Sequence, residues 1–109
     1  MFAYFYDWVI MDKMALKEKD KAKGCFTVVN DRGLHTRPST EIVKCATSFK
    51  CEVRLAYQKN LVNAKSILGV LMLAAAKGAR IRIEAVGDDA QEAVTSLITL
   101  ARNNFNIKY

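Results

Sequence analysis

Residues 33–38 read GLHTRP. They lie between residues 25–30, which are rich in β-branched side chains, and residues 39–49, which have an amphipathic pattern. They contain His35 and Pro38, the only histidine and the only proline of the chain. Proline is tolerated in the first turn of a helix, where its missing N–H has no intrahelical partner. Because residues 39–49 carry apolar side chains at helical spacing, we expect a helix that begins close to Pro38. His35 should therefore lie at or just before the first turn of this helix.

This position predicts an anion site beside a nucleophile. Free backbone N–H groups and the positive end of the helix dipole attract anions. Arg37 adds a planar fork of donors that matches phosphate oxygens, and a neutral imidazole is a competent nucleophile near neutral pH. A lone histidine in a loop is often incidental, but a nucleophilic imidazole beside an anion cradle is what a phosphohistidine needs.

Outward from this stretch, strand-like and helix-like apolar patterns predict seven elements. The predicted strands are residues 25–30, 51–57, 61–64 and 80–86, and the predicted helices are residues 39–49, residues 67–75 and the stretch after Asp88 and Asp89. Polar residues alternate with apolar ones in the strands, so one sheet face meets water and the other meets helices. The order βαββαβα predicts an α+β open-faced β-sandwich, with a four-stranded antiparallel sheet and three helices on one face. Ferredoxin-like folds share most of this order.

A second informative stretch is residues 63–70, which read NAKSILGV. Serine is a preferred helix N-cap, so Ser66 is predicted to begin the second helix. The following helix is apolar nearly all round, and a short helix cannot bury every face. An exposed apolar cluster often marks a docking surface.

Taken together, GLHTRP and NAKSILGV resemble the active-centre and serine motifs of the HPr family, the histidine phosphocarriers of the bacterial phosphoenolpyruvate:sugar phosphotransferase system. The resemblance covers roughly residues 25–102 and implies the same fold. It implies that His35 accepts a phosphoryl group through Nδ1 from enzyme I and passes it to enzyme IIA domains. Arg37 would assist this transfer, and Pro38 would set the helix start. Ser66 would be a regulatory site for a dedicated serine kinase.

The resemblance also implies a docking surface beside the active-centre loop. We expect an apolar centre with a basic rim, and the residues predicted to contact partners are Thr36, Lys44, Lys65, Ile67, Leu68 and Leu71. Because a carrier must release its partners quickly, the interface should be small and weak. The protein is expected to be a cytoplasmic monomer that acts as a covalent intermediate, without a cofactor or metal, and not as a stand-alone catalyst.

Two other functions remain open at this point. A composition of 51% hydrophobic and 26% charged residues is that of one folded domain. The net charge of +6 also suits a small basic nucleic-acid-binding module. However, the strands lack the interleaved basic and aromatic residues of single-strand binders, so no nucleic-acid partner is expected. Within the HPr family, an intact His35 also fits a regulatory relay that feeds no sugar permease.

The first part of the chain reads differently from the rest. Residues 1–23 are aromatic and then highly charged, and we expect a loosely ordered extension ahead of a phosphocarrier domain at residues 24–109. The apolar run contains Asp7 and is half the length of about 20 residues that a membrane span needs, so no span is expected. Cys25, Cys45 and Cys51 are odd in number and form no C-x-x-C, which indicates reduced thiols in a cytoplasmic compartment.

Overall fold

The computed structural model describes residues 20–107 as seven regular elements followed by a short turn. The elements are β1 (Lys21–Thr27), α1 (Thr36–Thr47), β2 (Glu52–Tyr57), β3 (Asn60–Asn63), α2 (Ile67–Met72), β4 (Arg80–Val86) and α3 (Ala90–Arg102). The strands form one sheet in the order β1-β4-β2-β3, and every neighbouring pair is antiparallel. The predicted order and the predicted open-faced sandwich are confirmed.

The helices cover one face of the sheet, and the strand alternation explains why. In β4, which lies between β1 and β2, Ile81 and Ile83 are fully buried. Arg80 and Arg82 alternate with them and are exposed on the other face. Full burial of each isoleucine contributes about 1.5–3 kcal/mol to the stability of the folded state, whereas burying either arginine without a partner would be strongly unfavourable.

The packing of α3 on β1 requires a glycine. A Cβ atom at Gly24 would lie 2.7 Å from Cγ1 of Val94 and 3.0 Å from Cδ1 of Ile98. Beyond α3 the chain makes a left-handed turn at Asn104–Asn106, with φ of 54°, 56° and 58°. Phe105, in the middle of this turn, is fully buried and meets Phe26 edge-to-face at a centroid distance of 5.9 Å. The end of the described chain is therefore anchored on β1.

The limits predicted for the first strand are wrong. β1 begins at Lys21, which pairs with Val86, and it ends at Thr27 instead of residue 30. Its inward residues at the start are the small Ala22 and Gly24, so the charged stretch around them hid the alternation. The expected domain start at residue 24 falls inside this strand. Residues 1–19 of the expected extension lie outside the described residues.

The two helices beside the histidine loop also differ from their predicted limits. α1 begins at Thr36, so Pro38 is its third residue and still lies within the first turn, where its missing N–H is tolerated. α2 ends at Met72 instead of residue 75. Ala74 has a φ of 50°, a left-handed conformation that cannot continue a right-handed helix. The next residue, Ala75, instead accepts the N–H of Leu34 on its carbonyl at 2.8 Å. The remaining differences are small: β2 and β3 each lie one residue from their predicted starts.

The three cysteines are free thiols. Cys51 is buried, and its desolvation, together with the neighbouring Asp89 carboxylate, raises the pKa of the Cys51 thiol to about 12. A thiol with so high a pKa is largely unreactive near neutral pH. Within residues 20–107, no helix has the length and apolar character that crossing a membrane requires.

Candidate phosphoryl-transfer site

His35 occupies the N-cap of α1, with extended backbone angles. Its carbonyl accepts the N–H of Ser39 at 3.1 Å, whereas its half-buried side chain makes no capping hydrogen bond. The imidazole is therefore not used by the helix. The backbone N–H groups of Thr36 and Arg37, in the first turn, have no intrahelical acceptors and can bind an anion beside the ring.

The loop that carries His35 is held by its own backbone and by the segment after α2. The N–H of Gly33 donates to the carbonyl of Asn30 at 3.0 Å, and the N–H of His35 donates to the carbonyl of Gly33 at the same distance. Asn30 donates its side-chain Nδ2 to the Gly33 carbonyl as well. Leu34 is buried and donates its N–H to Ala75. These contacts hold the ring at a defined place at the helix start.

His35 and Arg37 line the same cavity, which has a volume of about 490 Å³. Arg32 lines it too, so two exposed guanidinium groups are available beside the imidazole. Asp31 also borders the cavity, but its carboxylate contacts Nζ of Lys77 at 2.8 Å. The hydrogen bond and charge of Lys77 lower the pKa of Asp31, and the same contact raises the pKa of Lys77. With Asp31 paired, the positive charges of Arg32 and Arg37 dominate the cavity, which suits an anionic group.

The structure brings together residues that the sequence patterns did not connect. Arg32 stands three positions before His35, and this spacing was the only signal that could have found it. Asn30 and Asn104 also line the cavity. Asn104 follows α3, far from His35 in the sequence, and no local pattern could have predicted its position.

A family model described as the PTS HPr component phosphorylation site matches residues 22–103. The chain belongs to the HPr family. The match includes the whole His35 loop and the Ser66 segment, and the resemblance of these two motifs is thereby confirmed.

Individual HPr proteins agree with the family match. Phosphocarrier protein HPr of Cupriavidus necator is 40% identical over 79 residues, which are 72% of this chain and 89% of that protein. The HPr of Neisseria meningitidis is 41% identical over 83 residues, covering 76% and 93% of the two chains. Among solved structures, HPr-C-His from Thermoanaerobacter tengcongensis has a TM-score of 0.76 at 31% identity, and the match covers 81% of this chain and 99% of that chain.

In this HPr family member, Ser66 is the N-cap of α2. Its Oγ accepts the N–H of Gly69 at 3.1 Å, and its backbone is extended, as an N-cap requires. The predicted cap is confirmed. Lys65 beside it donates one hydrogen bond from its Nζ to the carbonyl of Phe49 at 2.8 Å.

The predicted basic rim is spread over separate places on α1. Thr36 and Arg37 are exposed in the first turn. Lys44 is exposed further along the helix, where its Nζ lies 3.5 Å from Oε2 of Glu41. Lys44 borders a different hollow from the one that contains His35. The structure therefore places Thr36 and Arg37 at the His35 end of α1 and Lys44 away from the cavity.

α2 presents an exposed apolar patch formed by Ile67, Leu68 and Met72, which are 40%, 68% and 67% exposed. Leu71, which was predicted for this surface, is half-buried. Met72 was missed because the sequence pattern could not show which side of an all-apolar helix faces the core. The hydrogen bond from the Leu34 N–H to the Ala75 carbonyl joins the segment after α2 to the loop that carries His35.

Proposed function

We propose that this protein accepts a phosphoryl group on His35 from enzyme I and passes it to enzyme IIA domains of the phosphotransferase system. The observation that supports this most strongly is the half-buried imidazole at the start of α1, in one cavity with Arg32 and Arg37. Membership of the HPr family supplies the chemical context. The protein would act as a covalent carrier in the cytoplasm and not as a stand-alone catalyst.

The transfer step follows from this geometry. The lone pair of Nδ1 attacks phosphorus, a P–N bond forms, and the bond from phosphorus to the donor breaks with its electron pair returning to the donor. The backbone N–H groups of Thr36 and Arg37 are neutral dipoles, so they stabilise the oxygens without trapping the product. The Arg37 guanidinium neutralises charge on the equatorial oxygens during transfer.

Purified enzyme I with phosphoenolpyruvate tests this function directly. The protein should acquire a phosphoryl group that is labile in acid and stable in base, as expected for a phosphohistidine. Adding an enzyme IIA domain should then discharge it. A protein that enzyme I charges but no enzyme IIA domain discharges would instead serve a regulatory relay, and a protein that enzyme I does not charge would contradict both functions.

Replacing Arg37 with alanine should slow phosphoryl transfer from enzyme I while leaving the fold intact. The side chain is exposed and forms no part of the core, so its removal acts on the transferring group. Loss of one positioned donor typically reduces a rate by about 10²–10³-fold. Stopped-flow or quench-flow measurement of charging would give the rate, and Arg37→Lys should recover only part of it because lysine lacks the planar fork.

Arg82→Ala is the matched control for this experiment. It removes the same charge from the exposed face of the sheet, opposite the helices. Arg82→Ala should charge at nearly the parent rate. An equal loss of rate in the two variants would show that only net charge matters and would remove Arg37 from the mechanism.

We further propose that the apolar patch of Ile67, Leu68 and Met72 docks both enzyme I and enzyme IIA domains. Singly exposed apolar residues are common, but three on one six-residue helix form a contiguous surface. Arg37 is exposed at the start of α1, and α1 contacts α2, so the surface suits a partner with an apolar centre and acidic groups around it. A monomer leaves the patch free for one partner after another.

Ser66 is proposed as the regulatory site of a serine kinase. The residue is half-buried and directly precedes the apolar patch. A phosphate there adds nearly two negative charges beside the docking surface. It would weaken binding of an acidic partner by repulsion and would leave the core unchanged.

Two substitutions at Ser66 separate capping from signalling. Ser66→Ala removes the acceptor for the Gly69 N–H and should lower the free energy of unfolding by about 1 kcal/mol, measured by denaturant titration. Ser66→Asp keeps an acceptor at the cap and adds charge, so it should fold normally and charge more slowly with enzyme I. Because the effect is electrostatic and partly exposed, added salt should reduce the difference.

Gln91→Glu is the control for added charge, since it places one negative charge on an exposed position of α3, outside the apolar patch. Charging of Gln91→Glu should match the parent at low salt. If Ser66→Asp charges as fast as the parent at low salt, Ser66 serves only as a helix cap.

A further inference from the structure

Three buried polar atoms around the cavity have no hydrogen-bond partner among residues 20–107. They are Oδ1 of Asn30, Nε2 of His35 and Oδ1 of Asn104. All three residues line the same cavity. Buried polar atoms in native proteins are almost always paired, so three unpaired atoms around one space point to a shared partner.

The amide group of Asn30 is oriented by the loop. Its Nδ2 donates to the carbonyl of Gly33, which leaves Oδ1 as the group without a partner. Asn30 is 4% exposed, so this oxygen has no ready access to bulk water. The orientation makes Asn30 an acceptor at the cavity.

Asn104 reaches the same cavity through the left-handed turn after α3. Its φ is 54°, a conformation that asparagine tolerates better than most residues. The next residue, Phe105, is fully buried against Phe26, and this packing positions the turn. The second acceptor is therefore set by the core and not by the loop that carries His35.

The donors and acceptors balance around a single water molecule. A neutral imidazole has one ring N–H, and each amide oxygen is an acceptor. One water can accept from the ring and donate one hydrogen to each amide oxygen, which is within the two to four bonds usual for a buried water. The guanidinium groups of Arg32 and Arg37 belong to exposed side chains, whereas the three unpaired atoms are buried.

We propose that Asn30 and Asn104 hold the His35 ring with its proton on Nε2, through one shared water, and thereby present Nδ1 as the nucleophile. The role of this arrangement rests on the proposed carrier function. The position of the ring proton can be measured whether or not the protein carries a phosphoryl group. During transfer the Nδ1 lone pair forms the bond to phosphorus, the electron pair of the broken bond leaves with the donor, and the proton stays on Nε2. Asn104 is thus a positioning residue for the imidazole.

The single histidine makes the test direct. In protein labelled with ¹⁵N, only one imidazole appears in long-range ¹H–¹⁵N spectra, and its nitrogen shifts identify the protonated atom. In the unmodified protein the ring proton should be on Nε2 and exchange slowly with water. Asn104→Gly removes the side chain at a backbone angle that glycine adopts freely, and the exchange of this proton should become about fivefold faster, as expected for loss of one hydrogen bond.

Two variants separate positioning from a general effect on the turn. Asn106→Gly makes the same change at the exposed end of the same left-handed turn, with φ of 58°, and should leave the ring proton unchanged. Asn104→Asp keeps an acceptor and should keep the proton on Nε2. A ring proton on Nδ1 in the unmodified protein, or equal exchange in Asn104→Gly and the parent, would overturn the proposal. No phosphate donor is used, so these outcomes are independent of whether enzyme I charges the protein.

Discussion

Replacement of His35 by alanine should abolish charging by enzyme I and phosphoenolpyruvate. No other histidine is present in the chain to accept the phosphoryl group. The His35 side chain makes no capping bond and is only half-buried, so the variant should fold with a loss of stability within about 1 kcal/mol. Radiolabelling followed by acid and base treatment measures the charging, and circular dichroism checks the fold.

The parent protein, labelled in parallel, gives the amount of phosphoryl group with which His35→Ala is compared. A phosphoryl group that is labile in acid and stable in base, found on folded His35→Ala, would mean that another residue is the acceptor. An unfolded variant would instead show that the ring supports the loop, and His35→Gln, which restores bulk and polarity, should then fold and remain uncharged.

Replacing Gly33 with alanine should lower both stability and the rate of charging. Gly33 has φ of 68°, and a Cβ atom there would collide with the carbonyl oxygen of Ala75 and lie 2.9 Å from Cα of Ala76. Both neighbours are backbone atoms and cannot rotate away. The backbone strain, with the weakened hydrogen bond from Leu34 to Ala75, should lower the free energy of unfolding by about 2–4 kcal/mol.

Gly78→Ala provides a matched comparison. Gly78 has φ of 91°, but nothing lies within 4 Å of a Cβ atom built there, so this variant carries backbone strain without the collision. Denaturant titration should show a larger loss for Gly33→Ala, and only that variant should lose charging rate. Equal losses in the two variants would contradict the view that close packing of Gly33 on the segment after α2 holds the His35 loop.

Much of this site could be predicted because it consists of one imidazole, arginine side chains and the backbone amides of a helix start. Proline within a first turn, an arginine beside a histidine and serine before an apolar helix are short-range signals with physical causes. They predicted His35 at the helix start and Ser66 as an N-cap, and both positions are as expected. The strand and helix order followed from apolar spacing in the same way.

The errors arose where contacts distant in the sequence override local patterns. β1 starts at Lys21 because Lys21 pairs with Val86 of β4. The charged residues Lys21 and Lys23 made this stretch resemble a loosely ordered extension. α2 stops at Met72 because Ala74 takes a left-handed conformation, with φ of 50°, and this turns the chain so that Ala75 meets the His35 loop. Leu71 was expected on the exposed surface and is half-buried, whereas the exposed Met72 was not named, because only packing against the rest of the domain selects the buried side of an all-apolar helix.

By itself, the sequence determined the order of the elements, the place of the histidine at a helix start and the arginine beside it, because these depend on residues within one helical turn or one strand repeat. Only the tertiary structure decided which groups surround the imidazole. Asn104 reaches the cavity because the next residue, Phe105, is buried against Phe26. Asn30 and Arg32 border the cavity because hydrogen bonds within the His35 loop, and from Leu34 to Ala75, set the path of that loop. Contacts of this kind depend on the packing of the whole domain, and no local spacing encodes them.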